Sequence, residues 1–209
     1  MPWPMVHFAI SQRLSDRESS PELLIGSIAP DSLHIRGQIT REEKGMTHLV
    51  HNNQLPSKEL IIRTMHMYLP QRPDLEWKEF VLGYFSHIYT DLRWTDTLYT
   101  DFERTYKTEA DDNIRRVYNQ EVSQVEFDLL QTEGHTEQLF KTLLKAQGYT
   151  IDPFVTMLEI QKYRDTKVKW LQDPMNNPQI TLMYFQMDKV NAFIENTAGE
   201  LRELIQRED

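Results

Sequence analysis

The sequence predicts an all-α fold, and three observations carry that prediction. Apolar residues recur at helical spacing in one segment after another, serine and proline mark segment starts while glycine and proline mark ends, and there are only 7 glycines in 209 residues. So few glycines argue against a turn-rich β design, and 39% hydrophobic with 26% charged residues is ordinary for a globular chain. That length buries a sizeable core without help, so residues 1–209 are read as a single all-helical domain. No internal repeat or low-complexity stretch interrupts it.

In chain order, Pro2 and Pro4 hold the start extended, and Met5, Phe8, Ala9, Ile10 and Leu14 pattern a first helix over 5–14 with His7 in its first turn. Ser20-Pro21 supplies an N-cap and an N1 proline for a second helix that stops near Gly26, and Ala29-Pro30-Asp31 reads as a turn. Residues 32–53 show little periodicity and read as a long loop with a short helix at 47–52; long loops of this kind are functional or disordered. Ser57 caps the next helix, which Pro70 and Pro73 end. A central helix runs over 73–92, a bent continuation over 94–106, and a long helix over 111–132 with Glu121 on its apolar side. Gly134 breaks the chain, 137–147 form a helix closed by Gly148, Pro153 opens one through Leu171, residues 173–178 make a turn, and 181–207 close the chain as an amphipathic helix.

The totals exclude several classes of function. A formal charge of −9 repels polyanions, so long nucleic acid is not expected as a partner. With no cysteine, disulfides, thiolate metal sites and cysteine nucleophiles are out, and any metal must use His, Asp or Glu. The start carries neither a basic leader nor an apolar core with a cleavage site, and no run of about eighteen apolar residues exists. The expectation is a cytoplasmic protein with no transmembrane segment.

The segment Gly83-Tyr84-Phe85-Ser86-His87-Ile88-Tyr89-Thr90-Asp91-Leu92-Arg93-Trp94 is apolar and aromatic, and it places His87 and Asp91 one helical turn apart on one face. A buried aspartate needs compensation, and a metal, an arginine or His87 itself would each provide it. His7, Asp31, His34, His48 and His51 precede the segment, and histidines with carboxylates suit zinc or manganese. Each also has a plainer reading: His7 packing in a helix terminus, Asp31 closing an Asx-turn, His34 and His51 exposed in a loop, and Glu121 pairing with Arg115 or Arg116. His66 and His135 are assigned to the surface, and the acidic stretches 103–112 and 200–209 to solvated faces. No phosphate-binding glycine loop, GxSxG or HExxH is present, which leaves a bound divalent metal as the chemistry the sequence points to.

Pro2-Trp3-Pro4-Met5-Val6-His7, the run from Ser20-Pro21-Glu22 to Ala29-Pro30-Asp31, Thr47-His48-Leu49, and Gly83 to Asp91, taken in that order, resemble the zinc-dependent phospholipase C family. The resemblance covers roughly residues 1 to 130. It implies an all-helical bundle of the phospholipase C and single-strand-specific nuclease type, whose zinc ions activate water against a phosphodiester. It also implies metal-binding roles for His7, Asp31, His48, His87 and Asp91, with Asp91 bridging two metals and Asp31 acting as the catalytic, water-activating carboxylate. Where the family has further histidines this chain offers Asp96, Tyr118, Glu121 and Glu126, and Trp3 is not terminal. The expectation is therefore one or two zinc or manganese ions, with Glu121 as an added oxygen ligand and a small phosphate ester as substrate. Arg36 or Lys44 would neutralise its phosphate. The rival is a non-catalytic helical protein that retains the fold with a structural or vestigial metal site.

Overall fold

The computed structural model describes residues 2–15, 19–106, 113–132, 134 and 136–206. His135, the first residues of the helix expected at 111–132, and parts of both acidic stretches lie outside them. Ten α-helices are present among the described residues: α1 (Pro4–Leu14), α2 (Pro21–Gly26), α3 (Arg41–Thr47), α4 (Lys58–Tyr68), α5 (Leu75–Trp94), α6 (Thr100–Tyr106), α7 (Ile114–Thr132), α8 (Thr136–Leu143), α9 (Met157–Gln172) and α10 (Met187–Gln206). No strand accompanies them there, so the all-α class expected from the sequence is what the chain adopts.

From Gly83 to Leu92 helix α5 is buried on every side, as a stretch apolar all round must be, while its first turn, Trp77 apart, is exposed. Asp74 starts it by accepting the Trp77 amide at 3.0 Å, and Trp77, Phe80, Val81, Tyr84, Phe85, Ile88, Tyr89 and Trp94 are all nearly inaccessible. Each such side chain contributes about 1.5–3 kcal/mol of burial, which makes α5 the axis of one continuous apolar core.

Two glycines set how closely α2 lies on that axis. A Cβ on Gly26 would stand 2.3 Å from the Phe80 carbonyl oxygen, and one on Gly83 would stand 2.3 Å from the Leu23 carbonyl oxygen. Only hydrogen fits at either position, so the two backbones meet directly and the end of α2 is delivered to the middle of α5. Ser20 begins α2 as the sequence indicates, its hydroxyl accepting the Leu23 amide at 3.1 Å. At the start of α1, Pro4 occupies N1 and the buried Glu126 of α7 accepts the Met5 amide with both oxygens at 3.1 Å. That carboxyl group ties α7 to the helix carrying His7.

The region expected to be a loop over 32–53 is more ordered than its periodicity suggests. Ala29–Arg36 forms a 3₁₀ helix, and α3 follows from a Thr40–Glu43 capping box. The helix lies before the expected 47–52 stretch because Leu49, Asn52 and Asn53 take φ values of 57°, 49° and 61°, in the left-handed region no α-helix can use. The bend expected after α5 is a π-helical turn, Thr95–Tyr99, leading into α6. The closing helix starts at Met187, later than the expected 181. Among the described residues, no helix is long and apolar enough to cross a membrane.

Candidate metal centre

Five of the six expected ligand residues meet at one place. His7 comes from the second turn of α1, Asp31 from the 3₁₀ helix, His48 from the C-cap of α3, and His87 and Asp91 from successive turns of α5. Tyr84, one turn before His87, donates its hydroxyl to the Thr47 carbonyl at 2.9 Å and so pins the end of α3 to α5. The Nε2 atoms of His7, His48 and His87 lie 3.7, 3.4 and 3.6 Å from carboxylate oxygens of Asp91, and His48 Nε2 lies 3.5 Å from Asp31 Oδ1. His7 and His87 stack with centroids 3.9 Å apart. Two overlapping groups, His7 with His87 and Asp91, and Asp31 with His48 and His87, each hold their ligand atoms close enough to share a metal ion.

The hydrogen bonding behind these rings fixes which nitrogen is free. His87 Nδ1 lies 2.8 Å from the Ser27 carbonyl, and His48 Nδ1 lies 3.0 Å from the Lys44 carbonyl. A carbonyl only accepts, so each Nδ1 carries the proton and each Nε2 presents a lone pair. Those two lone pairs face each other at 3.2 Å. Beside them, both Asp91 oxygens, Asp31 Oδ1 and both nitrogens of His7 have no hydrogen-bond partner among the described residues. Apart from the single N–H of a neutral His7, these buried groups offer only acceptors to one another, an arrangement that is costly unless a cation sits among them. Backbone carbonyls holding the far nitrogen are also how metal-ligating imidazoles are oriented.

Electrostatics agree with that chemistry. Burial, reinforced by the neighbouring His87, lowers the His7 imidazole well below its ordinary value, and burial lowers His87 too, so both are neutral ligands at pH 7. Burial raises the Asp91 carboxyl to about 6. For Asp31, burial pushes upward but the positive charge around it, that of Lys44 included, outweighs it, leaving a carboxylate well below its ordinary range. Asp31 is also the ligand nearest solvent, with 16% of its side chain exposed against 1–3% for His48, His87 and Asp91.

Three expectations are corrected here. Glu121 is not in the cluster: its oxygens accept the Met183, Tyr184 and Phe185 amides at 2.9–3.2 Å, because this face of α7 packs against the connection into α10. Its place on the apolar side of α7 reflects those amide contacts, and among the described residues no arginine pairs with it and it joins no metal-capable group. Arg36 does not face the cluster, being bound to Glu159 and the Phe154 carbonyl. Glu200 is not merely solvated, since it accepts from the Tyr89 hydroxyl at 2.6 Å and pairs with Arg93. Of the remaining histidines, His34 stands at the rim, 3.7 Å from Asp31, and His51 is exposed.

A cavity of about 690 Å³ opens from Asp31, His34 and Lys44. Trp3, Tyr99, Tyr118 and Tyr163 supply its aromatic wall, and Arg115 and Lys167 supply further cations. The sequence reading missed Arg115, Tyr163 and Lys167 as cavity residues, because α7 and α9 reach the cluster only through tertiary packing. Lys44, named with Arg36 from charge and position in the 32–53 segment, does line the cavity, whereas Arg36 is not among its lining residues. No family model, no curated protein and no solved structure matches this chain.

Proposed function

We propose that this chain is a metal-dependent hydrolase of small phosphate esters, with zinc or manganese held by His7, Asp31, His48, His87 and Asp91. The observation that carries the reading is the facing pair of His48 and His87 Nε2 lone pairs, 3.2 Å apart beside an Asp91 carboxylate without donors. Zinc suits imidazole and carboxylate ligands, and manganese tolerates the same set with more oxygen. The two carboxylates bring a charge of −2 when ionised, so one dication balances them and a second leaves the cluster attractive to a phosphate. The resemblance to the zinc-dependent phospholipase C family supports the same assignment for these five residues.

A divalent ion at such a site supplies Lewis acidity, activating water and offsetting charge at phosphorus. The chain's own residues do the rest. Asp31, ionised and closest to the cavity, accepts a hydrogen bond from the attacking water and aligns it. Lys44, 3.7 Å from Asp31 Oδ1, neutralises a phosphoryl oxygen. The Ser27 and Lys44 carbonyls keep His87 and His48 in the ligating tautomer.

The second reading is a non-catalytic protein with a structural ion, favoured by how little of His7, His48, His87 and Asp91 reaches solvent. Zinc- or manganese-loaded protein separates the two. Metal analysis by ICP-MS is expected to find at least one ion per chain, lost in His87→Ala and Asp91→Ala, with hydrolysis of bis-p-nitrophenyl phosphate. Bound metal with no hydrolysis leaves the structural reading, and absence of bound metal removes both.

A further inference from the structure

The charge lining the cavity is opposite in sign to that of the whole chain. Among the described residues that line it, Asp31 is the one carboxylate and belongs to the proposed ligand set, whereas Lys44, Arg115 and Lys167 are all cations, in a protein with 32 acidic against 23 basic residues. Lys44 is accounted for by Asp31 and His34. Arg115 and Lys167 are not, since neither forms an ion pair with a described residue. The Lys167 ammonium sits 5.5 Å from the Trp3 ring centroid and 5.3 Å from that of Tyr163, so two aromatic faces hold its charge at the cavity wall. Arg115, in the first turn of α7, is exposed, and its guanidinium is a planar fork matched to phosphate oxygens.

Arg115 also marks a position along the cavity. With Trp3 and Asn119 it lines an adjoining hollow of about 610 Å³ that includes Arg116 and none of the five ligand residues. The Arg115 end is therefore the end away from the cluster. A substrate carrying only the scissile phosphate would engage Lys44 and leave Arg115 and Lys167, on the same cavity, without an ion-pair partner among the described residues.

We infer that the substrate carries a second anionic group of the phosphate type, bound by Arg115 and Lys167 while the ester to be cleaved lies at Asp31 and Lys44. This rests on the phosphoesterase reading for the cleavage step, but the binding subsite can be tested without it. The substrate class is thus a phosphate ester with a further phosphate on the part that fills the aromatic-walled cavity.

Thymidine 5′-(p-nitrophenyl phosphate) and its 3′-phosphorylated form differ only in the second anion, the nucleoside serving as a spacer. On zinc-loaded protein the 3′-phosphate is expected to raise kcat/KM about tenfold or more, the order charge-assisted contacts give. Arg115→Ala, at an exposed position that does not threaten folding, and Lys167→Met, which removes the charge but keeps an unbranched side chain, are each expected to bring that ratio toward one. Equal kcat/KM for the two substrates, or a ratio that neither substitution moves, overturns the inference. Should the protein hydrolyse neither, calorimetric titration of metal-free protein decides. Thymidine 3′,5′-bisphosphate binding tighter than thymidine 5′-monophosphate, with the difference lost in Lys167→Met, keeps the subsite while the phosphoesterase reading falls. Equal or undetectable binding of the two overturns the subsite.

Discussion

Gly83 meets the Leu23 carbonyl so closely that a Cβ would lie 2.3 Å from that oxygen and 2.8 Å from the Ser27 nitrogen. The same contact sets the Ser27 carbonyl on His87 Nδ1, so a packing constraint and a metal-ligand orientation are one feature of the α2–α5 crossing. Gly83→Ala must push the helices apart. Overpacking of this kind costs about 1–3 kcal/mol, and at about 2–4 °C per kcal/mol in a chain of this size the melting temperature falls by several degrees. Zinc binding weakens with it, as calorimetry would show. Gly199 on α10 is the control: a Cβ there meets nothing within 4 Å, so Gly199→Ala gains about 0.5–1 kcal/mol of helix propensity and raises the melting temperature. A Gly83→Ala protein as stable as the parent would mean the crossing is not fixed by that glycine.

Asp91 predicts opposite outcomes with and without metal. Its folded carboxyl, raised to about 6 from an ordinary 3.8, takes up protons that the unfolded chain does not hold between those values. Metal-free stability from this group is therefore present at low pH and lost as pH rises through about 6. Asp91→Asn removes that loss, so metal-free Asp91→Asn is expected to be more stable than the parent at pH 7.5, by roughly 2–3 kcal/mol at about 1.4 kcal/mol per pKa unit. With zinc at a thousandfold excess over Kd the order reverses, because only the parent gains the mass-action stabilisation of a bound ion, about 4.1 kcal/mol. Chemical denaturation in chelator and in zinc measures both. A parent that gains nothing from zinc or manganese would remove the metal centre.

How far the site was legible follows from which residues are neighbours in sequence. His87 and Asp91 are one turn apart on an apolar helix, so their shared face could be read directly. His7, Asp31 and His48 became readable only as an ordered set, because what unites them is packing: the Gly26–Gly83 contact and the Tyr84 hydroxyl on Thr47. Glu121 looked equivalent, being acidic and on an apolar face, yet the partners it serves lie sixty residues further on, in the connection before α10. Helix periodicity shows that a polar group is buried and does not show against what. The same limit hid Lys167 and Arg115, whose spacing carries no motif. The 32–53 segment was misjudged because the ordering of α3 comes from the Thr40–Glu43 capping box, a local polar signal, rather than from apolar periodicity.

Arg36 and Lys44 separate structural from substrate-facing cations. Arg36 forms bonds of 2.6 and 3.1 Å to Glu159 and holds that carboxyl down to about 2, while also donating to the Phe154 carbonyl. Arg36→Ala is expected to lower stability by about 1 kcal/mol without altering KM for bis-p-nitrophenyl phosphate. Lys44→Ala is expected to raise KM or lower kcat/KM by about tenfold, the value of one charge-assisted contact. Steady-state kinetics beside thermal melts resolves the pair, and a kinetic defect in Arg36→Ala exceeding that of Lys44→Ala would reverse the assignment.

Glu126 gives the pH dependence its most direct test away from the ligands. It is wholly buried on α7, its two oxygens accept the Met5 amide, and burial raises its carboxyl to about 8 from an ordinary 4.5. The folded chain then holds a proton that the unfolded chain releases anywhere between those values, so unfolding is favoured by rising pH across that window. The stabilising contribution is complete below about 4.5 and gone above about 8, with a slope approaching 1.4 kcal/mol per pH unit in between. Glu126→Gln keeps an acceptor for the Met5 amide and removes the titration. Urea denaturation of metal-free protein at pH 5 and pH 8 is expected to show a drop in parent stability that the variant largely lacks, with the variant the more stable of the two at pH 8. An unchanged pH slope in Glu126→Gln would show that the carboxyl stays ionised where α1 begins.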